Sequence, residues 1–142
     1  MNQPFVIETL EPRALMAATI VRESVPFAFS GPTQALLKAE VIDGSFSGTD
    51  QITTLTNDQR THSLIKETTT GSGAGIDTGT QYTLAQRAMV VDNFSAADGS
   101  GVSHFMIHSQ LTSESGETIR EVYLVHFMVT HDGQVRSFEK VI

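Results

Sequence analysis

Polar and apolar residues alternate along most of the chain after residue 50, which is the period-two pattern of β-strands. Runs rich in Thr, Val, Ile and aromatic residues are separated by short segments of Gly, Asn, Asp and Ser, which favour turns. The predicted strands are 51–56, 62–70, 80–94, two runs within 102–130 on either side of the polar loop 113–118, and 134–141. Residues 20–30 contain a possible first strand, and Pro26 indicates an edge position for it.

About six to eight strands with little helical periodicity predict an all-β protein. The second strand of the 102–130 hairpin is apolar on both faces, with Tyr123, Val125 and Phe127 on one side and Val122 and Leu124 on the other. Such a strand is covered on both sides or lines a barrel, so we expect a small antiparallel β-barrel with Phe127 in its core. A β-sandwich is the alternative.

Two segments have no clear strand pattern. Residues 35–42 suit either a helix or a strand, because helix-forming ALLKA runs into Val41 and Ile42. Residues 71–79 are rich in glycine and predict a flexible connection, a bulge or a loop at the barrel rim. No helix pattern follows these glycines, so a phosphate-binding loop is not favoured.

The length of 142 residues fits a single domain. We expect a flexible or short helical N-terminal arm at 1–20 and one β domain at 21–142. No apolar run reaches the roughly 20 residues that a membrane-spanning helix needs. A net charge of −7 without any basic run argues against nucleic acid and anionic membrane surfaces as partners. The chain has no cysteine, so disulfides and thiolate sites are excluded.

The N-terminal stretch 7–17, IETLEPRALMA, carries a family resemblance. It resembles the short segment, built on Leu-Glu-Pro-Arg and an apolar triplet, that precedes many surface and extracellular proteins of planctomycete bacteria. The matching residues are Leu10, Glu11, Pro12, Arg13, Leu15 and Met16. The segment is about a tenth of the chain, and it departs from the pattern by having Met16 where leucine is usual. The resemblance implies an extracellular or cell-surface location in a bacterium, and nothing about activity.

Histidines are the most prominent candidate site residues. His104 and His108 share one strand face with Met106, and the hairpin loop predicts that His104 lies opposite His126, with Cβ atoms about 5 Å apart. His104 and His108 lie about 13 Å apart along the strand, so one ion cannot bind both directly. The simplest interpretation is that the histidines are neutral and only form hydrogen bonds with their neighbours in the sheet. We therefore predict no metal or other cofactor. His104 and His126 are the candidates if a metal does bind, as zinc or non-haem iron. A third ligand would come from another strand, for instance Asp92, Glu121 or His62.

Four further residues are candidates for polar groups inside a barrel: Tyr82, Tyr123, Arg87 and Glu67. No nucleophile elbow and no paired carboxylates on one strand face occur in the predicted strands. Two functions therefore stay open. One is an exported module that binds a small apolar molecule or a cell-surface protein. The other is a small barrel enzyme, such as a cyclase, an isomerase or a metal-dependent oxygenase. The sequence does not determine the oligomeric state.

Overall fold

The structure, a computed structural model, describes residues 19–142, which form one antiparallel sheet of seven strands. The strands are β1 (Thr19–Thr33), β2 (Ile42–Thr56), β3 (Arg60–Gly75), β4 (Gln81–Ser95), β5 (Gly101–Ser113), β6 (Thr118–Val129) and β7 (Val135–Val141). Each strand pairs with its neighbours in the sequence, in the order β1 to β7. The all-β class is confirmed. The sheet is open, because β1 and β7 do not pair with each other, so the closure expected of a barrel is not observed.

The N-terminal boundary differs slightly from the prediction. β1 begins at Thr19, so residues 19 and 20 belong to the sheet, while the remainder of the predicted arm lies outside the described residues. No helix occurs between residues 19 and 142, and accordingly none is long and apolar enough to cross a membrane.

The turns follow the polar and glycine signals in the sequence. The Asn57 side chain accepts hydrogen bonds from the backbone N–H groups of Gln59 and Arg60 at 2.9 and 2.8 Å, which closes the turn between β2 and β3. Gly116 and Gly133 have φ of 88° and 80° in the turns that follow β5 and β6, a conformation that glycine adopts without strain. The turn at 113–118 sets the register of its hairpin, and it pairs His104 with His126 as predicted.

The sheet curls around one of its two faces. Phe29 on β1 and Tyr123 on β6 border the same cavity. In a flat sheet five strand spacings would separate them by about 24 Å, so their proximity requires strong curvature. We call the face that carries Phe29 and Tyr123 the concave face, and the opposite one the outer face.

The hydrophobic core lies on the concave face, near one end of the strands. Its buried members are Leu36, Ile42, Phe46, Leu84 and Leu111. The last four come from β2, β4 and β5, whereas Leu36 comes from the connection between β1 and β2. Leu36 and Leu111 are only 2% and 1% exposed. The core therefore consists of one sheet face and a single covering segment.

That covering segment, residues 34–41, is here called the cap segment. It is neither the helix nor the strand that its sequence allowed, but a loop. The backbone N–H groups of Leu37 and Lys38 donate to the carboxylate of Glu121 on β6, at 3.0 and 3.3 Å. Glu40 accepts hydrogen bonds from the Tyr82 hydroxyl at 3.0 Å and from the turn after β3. The pKa of Glu40 is lowered, chiefly by its hydrogen bond from the Thr78 hydroxyl. Carboxylates thus hold the middle of the cap segment and its C-terminal end.

The glycine-rich stretch departs from its prediction over residues 71–75, which are strand and not loop. The reason is the packing of β2 against β3 on the concave face. A Cβ atom on Gly71 would lie 2.5 Å from Cδ1 of Phe46, and one on Gly73 would lie 2.7 Å from Cγ2 of Ile42. Glycines at these positions leave room for two buried side chains, so they serve close packing and not flexibility.

Phe127 does not belong to this core. It is half-buried on β6, where it pairs with Ser103 and Ser137. The expected core position was wrong because the cap segment covers the other end of the strands. Burial here depends on the cover and not only on the apolar pattern of β6.

This arrangement predicts the relative cost of two truncations. Leu111→Ala should lower the free energy of unfolding by about 2 to 5 kcal/mol, because a fully enclosed side chain leaves a cavity. Phe127→Ala should cost less, although more atoms are removed, because its surroundings are partly solvent. Urea unfolding of both variants measures the difference. An equal or larger loss for Phe127→Ala would contradict the placement of the core.

Candidate functional site on the concave face

A cavity of about 250 Å³ lies on the concave face beside the core. It is enclosed by β1, the cap segment, β4, β5 and β6. Its apolar lining includes Phe29, Leu37, Leu84, Ile107 and Tyr123. Polar side chains also border it: Gln86, Ser109 and Glu121 on the sheet, and Thr33 and Gln34 where β1 meets the cap segment. An apolar cleft with a few converging polar groups is the usual form of a small-molecule site.

The polar groups form a row across four adjacent strands. Thr69, Gln86, Ser109 and Glu121 are consecutive cross-strand partners on β3, β4, β5 and β6. The Ser109 hydroxyl donates to Oε1 of Gln86 at 3.0 Å. Ser109 and Glu121 are 6% and 4% exposed, so this part of the row is withdrawn from solvent. Buried polar groups with defined partners are well suited to orient a ligand.

A pair of carboxylates continues this polar face. Asp50 on β2 lies directly opposite Glu67 on β3. The pKa of Glu67 is raised, first by burial and also by the charge of Asp50, although the Thr69 hydroxyl donates to Oε1 of Glu67 at 3.0 Å and opposes the shift. Among residues 19–142, Oδ1 of Asp50 has no hydrogen-bond partner although it is buried. Because Asp50 lies beside a carboxyl whose pKa is raised, the pair is suited to share a proton.

The two tyrosines among the candidates are both engaged by carboxylates. Tyr82 donates to Glu40, and this hydrogen bond is the main reason why the pKa of Tyr82 is raised. A hydrogen bond to Glu139 raises the pKa of Tyr123 in the same way. Tyr82 packs against the core, and its hydroxyl anchors the cap segment, whereas Tyr123 borders the cavity.

The candidate histidines and Arg87 lie on the outer face. His104 and His126 are neighbours, with Nδ1 atoms 3.1 Å apart and ring centroids 4.5 Å apart, so the predicted pairing is confirmed. Nε2 of His108 lies 3.1 Å from the sulfur of Met106. Arg87 is directly opposite His108 on the neighbouring strand. The seven candidate residues are therefore divided between two faces and do not converge on one site.

A second cavity, of about 390 Å³, lies across β2 to β5. Most of its lining residues alternate onto the outer face, among them Lys66, Arg87 and His108, and Glu67 borders it as well. Lys66, Arg87 and His108 are all exposed. Within the described part of the chain, no segment covers this groove and no buried polar row lines it. The groove is therefore the weaker candidate for a small-molecule site.

The third ligands considered for a metal at His104 and His126 are not in place. Asp92 and Glu121 alternate onto the concave face, and His62 lies on β3, where its partner on β4 is Asn93 and not Val91, the neighbour of His104. Among residues 19–142, no group of three or more His, Asp or Glu side chains is positioned to hold an ion. The zinc or iron site considered from the sequence therefore lacks its ligand set.

Sequence reasoning missed Asp50 and Ser109, considered Glu121 only as a third metal ligand, and did not single out Gln86. The signal for two of them was present, because the register that pairs His104 with His126 also pairs Ser109 with Glu121. Gln86 follows from alternation with Tyr82 and Leu84 on β4. Asp50 was missed because the predicted strand began one residue after it.

No family model matches the chain, and no curated protein or solved structure is significantly similar to it. The function must therefore be inferred from the geometry of the two faces.

Proposed function

We propose that this chain is a binding module for a small, mainly apolar molecule, which it holds in the concave-face cavity. The observation that carries the proposal is the enclosure of that cavity by the cap segment above a buried polar row. Its volume of about 250 Å³ is slightly below the roughly 300 to 1,000 Å³ typical of ligand sites. A cavity of about 150 Å³ is enough for benzene in another protein. The ligand is therefore about the size of a single substituted ring.

The charges around the cavity select among such ligands. The carboxylate of Glu121 borders the cavity. Glu67 is linked to the cavity by Gln86, which borders the cavity and hydrogen-bonds to Glu67. No cationic side chain from residues 19–142 borders the cavity. A carboxylate or phosphate on the ligand would be repelled, whereas a hydroxyl or amine can donate to Ser109 or Glu121. We therefore infer a neutral or cationic ligand that carries a hydrogen-bond donor.

Three ring compounds of similar size test this inference: p-cresol, toluene and 4-methylbenzoate. We expect p-cresol to shift the backbone amide signals of Leu84, Ile107 and Ser109 in ¹H–¹⁵N spectra, toluene to do so more weakly and 4-methylbenzoate not at all. Ile107→Phe should fill the cavity and remove the p-cresol shifts. Val122→Phe, an enlargement on the outer face of the next strand, is the control and should retain them. Absence of shifts in the wild type, or equal shifts in both variants, would contradict the proposal.

A second candidate function, general acid–base catalysis, is supported by the Asp50 and Glu67 pair. A carboxyl whose pKa is raised toward neutral pH is a suitable proton donor and acceptor. Gln86 connects this pair to the concave-face cavity, because it borders the cavity and hydrogen-bonds to Glu67. This supports the enzyme alternative, with Glu67 as the residue that exchanges the proton and Asp50 as its partner.

The raised pKa of Glu67 has a consequence for stability that can be measured. A carboxyl with a raised folded-state pKa stabilises the fold below its unfolded value of about 4.3, and this contribution is lost as pH rises through the folded pKa. Ionisation of Glu67 as the pH rises is therefore unfavourable. Glu67→Gln should raise the thermal midpoint at pH 7, by less than about 4 °C since the group is only half-buried and solvent screens its charge, and should have no such effect at pH 4.

Asp50→Asn provides the matched variant. It relieves the same repulsion, so the double variant should gain little beyond either single one. A lower midpoint for Glu67→Gln at pH 7, or fully additive gains, would show that the two carboxylates are not coupled.

The N-terminal segment supports a third part of the proposal, that the module is exported and works at the cell surface. The support is the resemblance of residues 7–17 to a planctomycete sorting segment. Arg13→Glu should reduce the fraction of the protein that external protease digests on intact planctomycete cells, because it reverses the charge within the Leu-Glu-Pro-Arg core. Arg22→Glu, the same change at an exposed position on β1, is the control. Equal surface exposure of both variants would contradict a sorting role.

A further inference from the structure

The outer face carries a cluster of nitrogen and sulfur donors that the proposed ligand site does not use. His104, Met106 and His108 occupy alternate positions of β5 on that face. His126 lies opposite His104 on β6, and Met89 lies opposite Met106 on β4. Three strands thus bring three imidazoles and two thioethers together.

A depression of about 240 Å³ connects the central members of this cluster. It is bordered by both methionines and by the His104 and His126 pair, and the remaining walls are apolar: Val91, Phe105, Leu124, Val125 and Phe138. His104, His126, Met89 and Met106 therefore line a single, mainly apolar hollow.

The two imidazoles are close enough to share one ion. Their Nδ1 atoms are 3.1 Å apart, and two nitrogens bound to one ion at about 2.0 to 2.1 Å in tetrahedral geometry lie about 3.3 Å apart. In the absence of an ion, one Nδ1 must donate to the other, which needs unlike tautomers. An ion can take the place of that proton if the donor ring changes tautomer and carries its hydrogen on Nε2. No large backbone movement is required.

The third donor is the Met106 sulfur. It lies 3.1 Å from Nε2 of His108 and also borders the hollow that contains the histidine pair. A methionine side chain has three rotatable bonds and adapts its position readily. Met106 can therefore turn its sulfur from His108 toward the pair.

The donor set selects the kind of metal. A thioether is a soft ligand that favours Cu(I), whereas Zn²⁺ sites use thiolate, imidazole and carboxylate ligands. Among residues 19–142 no carboxylate completes a site with these histidines. Lys140 is the cross-strand partner of Leu124 on the same outer face, and its positive charge opposes a divalent ion more strongly than a monovalent one.

From this geometry we propose that His104, His126 and Met106 form a binding site for a soft monovalent metal ion, Cu(I) in biology and Ag(I) as its redox-inert substitute. The site lies on the face opposite the proposed ligand cavity, and it does not depend on that proposal.

The test is a titration of the untagged full chain with Ag(I) by calorimetry, and with Cu(I) in anaerobic ascorbate against a chromophoric Cu(I) chelator. We expect one equivalent of either ion to bind, with shifts of the Met106 ¹³C-methyl signal and of the ring signals of both histidines. Met106→Leu, His104→Gln and His126→Gln should each weaken binding at least about tenfold, because loss of even an outer-shell partner costs roughly 10- to 100-fold.

Two matched variants serve as controls. Met128→Leu changes a methionine on the same face of β6 that does not border the hollow, and His62→Gln changes a histidine on β3. Both should leave the affinity unchanged, and far-ultraviolet circular dichroism verifies that every variant is folded. Absence of binding in the wild type would overturn the proposal, as would equal losses for Met106→Leu and Met128→Leu. Binding of Zn²⁺ as tightly as Cu(I), with no effect of Met106→Leu, would show a nitrogen-only site and would also overturn it.

Discussion

The fold depends on the attachment of the cap segment to the concave face. A single sheet has no second layer, so it excludes water only where another part of the chain lies over it. Leu36 provides that cover, and it is held there because Glu121 accepts the N–H groups of Leu37 and Lys38. Hydrogen bonds to a charged group contribute about 1.5 to 3 kcal/mol each. Without them the core side chains beneath Leu36 would face solvent, and the cavity on the concave face would lose one wall.

Curvature is the second condition for this arrangement. The cap segment can reach β6 from β1 only because the sheet curls enough to bring Phe29 near Tyr123. Gly71 and Gly73 help at the point where β2 and β3 meet, since they let Phe46 and Ile42 lie flat over the neighbouring strand. Residues 71–75, whose composition predicts a loop, are therefore a closely packed part of the sheet.

The sequence was informative about the strands and turns, but much less so about the segment that covers the sheet. Strand alternation and turn residues predicted most of the strands, and the loop at 113–118 was sufficient to pair His104 with His126. The cap segment was not predictable in this way, because its conformation is determined by a carboxylate 84 residues away. Phe127 was misplaced for the same reason. Its strand has the right apolar pattern, but nothing in that pattern says which end of the sheet is covered.

The two faces carry different chemistry because strand alternation separates them. β5 sends Ile107 and Ser109 to the concave face and His104, Met106 and His108 to the outer face. A slip of one residue in the register would exchange these sets, so that imidazoles and thioethers would replace the apolar and hydroxyl groups beside the cavity. The buried contacts at one end of the sheet oppose such a slip. Leu111 on β5 is buried, and the Ser109 hydroxyl is hydrogen-bonded to Gln86. Glu121, the partner of Ser109 on β6, accepts a hydrogen bond from the cap segment. The same interactions that close the concave face therefore also fix the positions of the donors on the outer face, although the two sets of side chains point to opposite sides of the sheet.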